Sequence, residues 1–189
     1  IRINSNADFT SANGVSAGTG TQLDPYIIEG WDIDGTGYGY ALYIGNTTAY
    51  FIVRNNYLHN ANGGGDWPYY FNTGLTLYNV QNGKIENNNA SGNSDTGIYL
   101  YSSSNNHITN NNASGNSYHG IYLSSSSNNN ITNNNAFGNS QSGIGLSSSS
   151  NNNITYNTAS GNSECGICLD WSSNNNLSGN VLYNNGIVI

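Results

Sequence analysis

Four carboxylates stand in the repetitive part of this chain: Glu86, Asp95, Glu164 and Asp170. Cleaving a glycosidic bond takes two Asp or Glu side chains at a defined separation, one to protonate the leaving oxygen and one to attack or to activate water. Asp95 and Glu164 occupy equivalent positions of the repeat described below, but three repeats apart, roughly 14 Å at the strand spacing of a sheet. Asp170 follows on the next strand and is the group that approaches Glu164. One such pair is thin support for a hydrolase, and no catalytic residue is assigned. Arg54 and Lys84 fall in adjoining repeats near Glu86, where a surface salt bridge accounts for them.

Metal chemistry finds little to work with. Asp32-Ile33-Asp34-Gly35 does not complete a calcium loop, and Asp66 lies far along the chain. His59, His107 and His119 show no ligand spacing and Met is absent, so no metal and no cofactor is expected. Cys165-Gly166-Ile167-Cys168 overlies a strand of the repeat. Extended, its two Cα atoms would stand roughly 10 Å apart, beyond disulfide reach. The reading is two free thiols, with Cys168 pointing outward where Tyr99 and Tyr122 do. An internal or intersubunit bridge is the alternative.

Tyr43, Tyr78, Tyr99, Tyr101 and Tyr122 share the outward face of one strand, with Tyr118 close by, and Trp67, Tyr69, Tyr70 and Phe71 come from a longer loop near the same edge. Such a platform suits a protein contact, which is the reading preferred, or sugar rings. Ordinary cross-strand pairing is the bland account.

The elements that carry these groups follow from a repeat. Gly74, Gly97, Gly120, Gly143 and Gly166 recur about every 23 residues, as do Ile85, Ile108, Ile131, Ile154 and Leu177. Ile98 and Leu100 alternate with Tyr99 and Tyr101, a strand signal of period two. Ile108 centres a second short strand and Ala113 a weaker third. A unit of three short strands cannot bury its apolar side alone, and stacked units can, each adding ~4.8 Å. The expected fold is therefore all-β: a right-handed parallel β-helix with about 23 residues per coil. Leucine-rich repeats share the period, but their convex side needs helix formers where this chain has Ser and Asn. Ala41-Leu42-Tyr43-Ile44 aligns with Gly97 to Leu100, and Ile52 then falls where Ile108 does. One domain spans 1–189: irregular N-terminal coils or a cap over 1–40, regular coils over 41–185 with a loop insertion at 61–71, and an open C-terminal strand at 186–189.

Asn recurs in two columns, Asn88, Asn111, Asn134, Asn157 and Asn180, and Asn93, Asn116, Asn139 and Asn162, with Asn55 and Asn60 as their upstream members. An amide donates and accepts, so stacked Asn form hydrogen-bonded ladders. Among the Asn-x-Ser/Thr sequons, Asn46, Asn89 and Asn112 are the candidate glycan acceptors.

The unit Gly-Ile-Tyr-Leu-x-Ser-Ser-Ser-Asn-Asn-x-Ile-Thr-Asn-Asn-Asn resembles the NosD-type right-handed β-helix repeat, within the wider group of carbohydrate-binding and sugar-hydrolase β-helix proteins. Asp24 to Gly35 with Tyr43 to Thr48 is similar to the first coils of archaeal cell-surface proteins of this type. The resemblance covers nearly the whole chain and implies the fold more strongly than a function. It brings an association with copper that the absent Met and the scattered His do not match. Polygalacturonase-type motifs are missing, His119-Gly120 being only a fragment of one.

Composition narrows the partners. Lys and Arg number 3, charged residues are 7% and the net charge is −7, so no basic stripe exists for nucleic acid. No apolar run reaches the ~18 residues of a membrane span. Low charge, 15 Tyr and an opening Ile1-Arg2-Ile3 without Met fit an extracellular or cell-surface protein. Ile1 and Ile3 at one end and Ile187, Val188 and Ile189 at the other read as uncapped strands able to stack head to tail. The expectation is a non-enzymatic structural subunit of a homo-polymer. The alternative is a carbohydrate-binding or polysaccharide-processing module that takes surface glycans.

Overall fold

The computed structural model describes residues 1–64 and 71–186. The chain winds into a right-handed parallel β-helix of about seven stacked coils. A first seven-stranded sheet holds Arg2–Ile3, Tyr40–Thr47, Thr73–Val80, Ile98–Tyr101, Ile121–Ser124, Ile144–Ser147 and Ile167–Asp170. A second, also of seven, holds Tyr26–Glu29, Phe51–Arg54, Gly83–Glu86, His107–Thr109, Asn130–Thr132, Asn153–Thr155 and Asn176–Ser178. The third side is two three-stranded sheets bridged through Asn112.

Like residues meet like across the coils. Ile98 pairs with Leu75 on one side and Ile121 on the other, and Ile108 with Ile85 and Ile131. Because side chains alternate along a strand, Ile98, Leu100, Ile108 and Ala113 all point into the tube and are fully buried. Each buried Leu or Ile contributes roughly 1.5–3 kcal/mol. At the N-terminal end Phe9 stacks on Tyr26 with centroids 4.6 Å apart and leans on Phe51, closing the core there.

One coil departs from the expected register. Val53, not Ile52, pairs with Ile85, and Ile52 sits opposite Lys84. The bend between Thr47 and Phe51 takes one more residue than in later coils, which shifts everything after it. Asn56 therefore replaces Asn55 at the head of the first amide column. Asn55 and Asn60 instead adopt left-handed turns, with φ of 55° and 59°, and Ala61 stands before Asn93.

Three buried Asn columns run along the corners. In the first, Asn56, Asn88, Asn111, Asn134, Asn157 and Asn180, each Nδ2 donates to the next Oδ1, as Asn111 does to Asn134 at 3.0 Å. The backbone N–H of Asn111 donates to the same oxygen at 2.9 Å. Asn93, Asn116, Asn139, Asn162 and Asn185 form the second. The third, Asn106, Asn129, Asn152 and Asn175, was not anticipated; it lies in the Ser-Asn run where each residue resembles its neighbours.

Of the expected end residues, Ile3 is fully buried in the first coil and Ile1 packs on the core with its ammonium donating to the Ala41 carbonyl at 2.9 Å. Ile3 is thus a core residue, since the first strand turns that side chain inward. Ile187, Val188 and Ile189 lie outside the described residues, as do Trp67, Tyr69 and Tyr70.

Candidate functional site: an aromatic groove at the entry to the first sheet

The corner that leads into the first sheet is where the repeat stops repeating. Backbone hydrogen bonds stack Asn72, Asp95, Tyr118, Gln141 and Glu164 in one column. The next column runs Thr73, Thr96, His119, Ser142 and Cys165. Three residues on, the outward strand position runs Thr76, Tyr99, Tyr122, Gly145 and Cys168. The chain bends between these last two columns, so a corner residue and the residue three later face each other. In one coil Thr73 and Thr76 share a hydrogen bond of 2.5 Å. In another His119 lies flat on Tyr122, with ring centroids 4.4 Å apart and planes 13° from parallel.

Cys165 and Cys168 fill the same slot and form a disulfide, with Cα atoms 6.0 Å apart. The expected pair of free thiols is corrected by this bend. The strand starts only at Ile167, so the segment is not extended and the Cα separation comes within disulfide range.

Between the columns lies an open groove of about 260 Å³, lined by Phe71, Asp95, Thr96, Tyr99, Tyr118, His119, Tyr122 and Gln141. Tyr99 and Tyr122 stack along the coil axis at 5.6 Å, and Phe71 meets Tyr99 edge-on at 4.7 Å. Tyr78 and Tyr101 stack beside them at 5.5 Å. Tyr43 stands in the same outward column but is not part of the exposed face. It is completely buried, its hydroxyl 3.4 Å from Asn4 Oδ1, because the segment after the first strand folds over it.

Burial sets the charge of the polar groups. It depresses the His119 imidazole to about 4, so the ring is neutral near pH 7. His119 Nδ1 sits 2.6 Å from Ser142 Oγ, which leaves Nε2 as the nitrogen able to exchange a proton with a ligand. Burial raises the Asp95 carboxyl, partly offset by the Thr96 hydroxyl that donates to it at 2.8 Å. Burial likewise raises the Tyr99 phenol, and Asp95 adds a smaller push. One groove thus holds a carboxyl pushed up and an imidazole pushed down, a combination suited to proton transfer.

A pH dependence follows. The unfolded chain protonates His119 near 6.5 and the folded chain near 4, so between these values the unfolded state binds more protons and stability rises with pH. The contribution is complete above pH 6.5 and lost as pH falls towards 4. Asp95, raised by burial, acts in the opposite sense, and the Tyr99 phenol is raised further away from this range. Going from neutral to acid, wild type is expected to lose about 1–3 kcal/mol more than His119→Gln. Denaturant unfolding at both pH values checks this, and parallel losses would refute it.

The other candidates lie elsewhere. Glu86 pairs with Lys84 at 2.6 Å on the second sheet, and Arg54 takes Glu29 at 2.7 Å. Asp170 ends the last strand of the first sheet. His59 Nε2 lies 2.7 Å from Asp32 and its ring stacks on Tyr57, while His107 is exposed on the second sheet. Asn46 is tied between Asn4 and Asn79, and Asn112 donates to Asn89. Clefts of about 450 Å³ open near Asn46 and near His107, without the stacked rings and carboxyl of the groove.

The site is an aromatic, carboxyl-bearing groove on one sheet of a parallel β-helix. The chain belongs to the NosD family, described as periplasmic copper-binding protein, which matches residues 1–189. No curated protein is detectably similar in sequence. Among solved structures, a variant of the periplasmic alginate epimerase AlgG is similar with a TM-score of 0.68 at 20% identity, over 86% of this chain and 39% of that one. The Dettilon tailspike protein follows at 0.64 and 18%, over 88% and 38%. The Azotobacter vinelandii mannuronan C-5 epimerase AlgE4 A-module gives 0.60 and 16%, over 86% and 62%. The chain thus spans less than two thirds of each.

The residues present do not fit the family's copper. Both Cys are in the disulfide, the chain has no Met, and the described residues hold no group of three His, Cys, Asp or Glu placed to share a metal. The expectation of a non-enzymatic chain is corrected by the neighbours. Epimerases are built on this same fold, so a shortage of paired carboxylates argues against one hydrolytic route and not against catalysis. Epimerisation moves a proton at carbon, which asks for a positioned base and acid and not for a glycosidase pair.

Proposed function

We propose that this chain is a polysaccharide-binding and polysaccharide-processing β-helix module acting outside the cytoplasm, with the glycan lying along the groove of Tyr99, Tyr122 and His119. The observation that carries the reading is the stack of Tyr99 on Tyr122 along the coil axis, with His119 laid against Tyr122 within its coil and Asp95 lining the same groove. Sugar rings present flat C–H faces to aromatic rings, while their hydroxyls meet Asp95, Thr96 and Gln141. On this reading Asp95 and the Nε2 of His119 would take and return a proton. The disulfide fits an oxidising compartment, and no helix of the described residues is long and apolar enough to cross a membrane. The head-to-tail homo-polymer gains nothing from Ile3, which is buried, and is not the reading adopted.

Glycan-array binding tests the groove. Tyr99→Ala and Tyr122→Ala are each expected to weaken binding on the order of thirty-fold, about 2 kcal/mol, as central aromatic anchors do. Tyr183→Ala, on the third side, should leave it unchanged. Undiminished binding in both groove variants, each shown to be folded by circular dichroism, would refute the reading.

A further inference from the structure

We propose that the glycan taken by this groove is uncharged: a neutral polysaccharide and not a polyuronate. The inference rests on the groove reading above and names its substrate class. A chain of uronic acids carries a carboxylate on every sugar and needs cations or an anion-binding set of N–H groups to hold it. The chain has three basic side chains in all. Arg54 and Lys84 are on the second sheet, held by Glu29 and Glu86. Arg2 stands in the same outward column as Tyr99, but with Tyr43 and Thr76 between them.

What the groove does present is the opposite sign. Asp95 sits inside it, and Glu164 lies further down the same column beyond Tyr118 and Gln141. The imidazole of His119 is held neutral by burial and lends no positive charge near pH 7. A carboxylate laid on Tyr99 and Tyr122 would be brought against Asp95 in a partly desolvated place, where like charges repel most strongly. Neutral sugars meet no such barrier. Asp95 accepts hydrogen bonds from their hydroxyls, and the amide of Gln141 both donates and accepts.

The test uses the whole chain, labelled for nuclear magnetic resonance, and follows the imidazole signals of His119, which report on this groove alone. The probes are cello-, manno-, xylo- and chito-hexaose beside hexamers of mannuronate, guluronate and galacturonate, all at neutral pH. At least one neutral hexamer should move the His119 signals, with affinity at least about ten-fold tighter than any uronate. A uronate that moves them as well as or better than every neutral sugar would overturn the inference while leaving the groove reading standing. If no hexamer of either kind moves them, the groove reading fails and the inference with it.

Discussion

Asn134→Ala is expected to cost about 3–5 kcal/mol, and Asn153→Ala less than ~1 kcal/mol. Both residues are amides stacked between identical amides one coil away. Asn134 lies in the buried column. Its Oδ1 accepts from both the backbone N–H and the Nδ2 of Asn111, and its own Nδ2 donates to the Ile108 carbonyl at 2.8 Å. Truncation takes the partner from the Asn111 backbone N–H and this donor from the Ile108 carbonyl, and removes one bond each from Asn111 Nδ2 and Asn157 Oδ1, where water does not reach; an orphaned buried group costs ~1–3 kcal/mol. Asn153 stands on the outer face of the second sheet, donating to Asn130 and accepting from Asn176, and there water takes over its bonds. Denaturant unfolding of the two variants decides the matter. Equal losses would mean that the columns contribute through repetition of type and not through burial.

A second contrast is expected between two glycines of one coil. Gly120→Ala should destabilise by ~3–4 kcal/mol or prevent folding, and Gly115→Ala by only ~1–2 kcal/mol. A methyl on Gly120 would come within 2.6 Å of the Gly143 carbonyl oxygen and 2.7 Å of that of Ala113. Both are backbone atoms of tightly packed chain, and neither can turn aside. Gly115 has open space around its missing side chain and a φ of +63°, so its substitution costs only backbone strain. Thermal unfolding of both variants separates steric exclusion from conformational preference. Similar melting temperatures would show that the corner beside Gly120 yields more than the contacts imply.

The fold was legible because its determinants recur. Gly97, Gly120 and Gly143, Ile108 and Ile131, and Asn111 and Asn134 each mark a column, and identical residues at a fixed interval declare that they meet. The column of Asn106, Asn129 and Asn152 was equally periodic but hidden among Ser and Asn of the same kind. The shift at Val53 left no mark, since a bend with one more residue looks like any other polar stretch. The burial of Tyr43 depends on a segment with no counterpart in later coils.

The groove was harder to see for the opposite reason. Asp95, Tyr118 and Gln141 share one column and Thr96, His119 and Ser142 another, and across these three coils no residue type recurs in either. Asp95, His119 and Tyr118 were visible singly, as an acid, a fragment of a motif and an aromatic near an edge, while nothing marked Thr96, Gln141 or Ser142. What was missing was the bend that brings a corner residue against the residue three later. His119 with Tyr122, Thr73 with Thr76 and Cys165 with Cys168 all share that spacing, and the comparison of those pairs would have exposed it.

The outward column that holds Tyr99 and Tyr122 is bounded, by Thr76 on one side and by Gly145 and then Cys168 on the other. A polymer lying on a uniform array can creep along it, each step trading one contact for an identical one. Here a displacement of one coil, ~4.8 Å, moves a sugar from a ring onto a threonine or a glycine. The solenoid therefore works as a ruler with a single engraved mark. On the proposed reading, a long glycan would be held at one place along the protein, where the two stacked rings are.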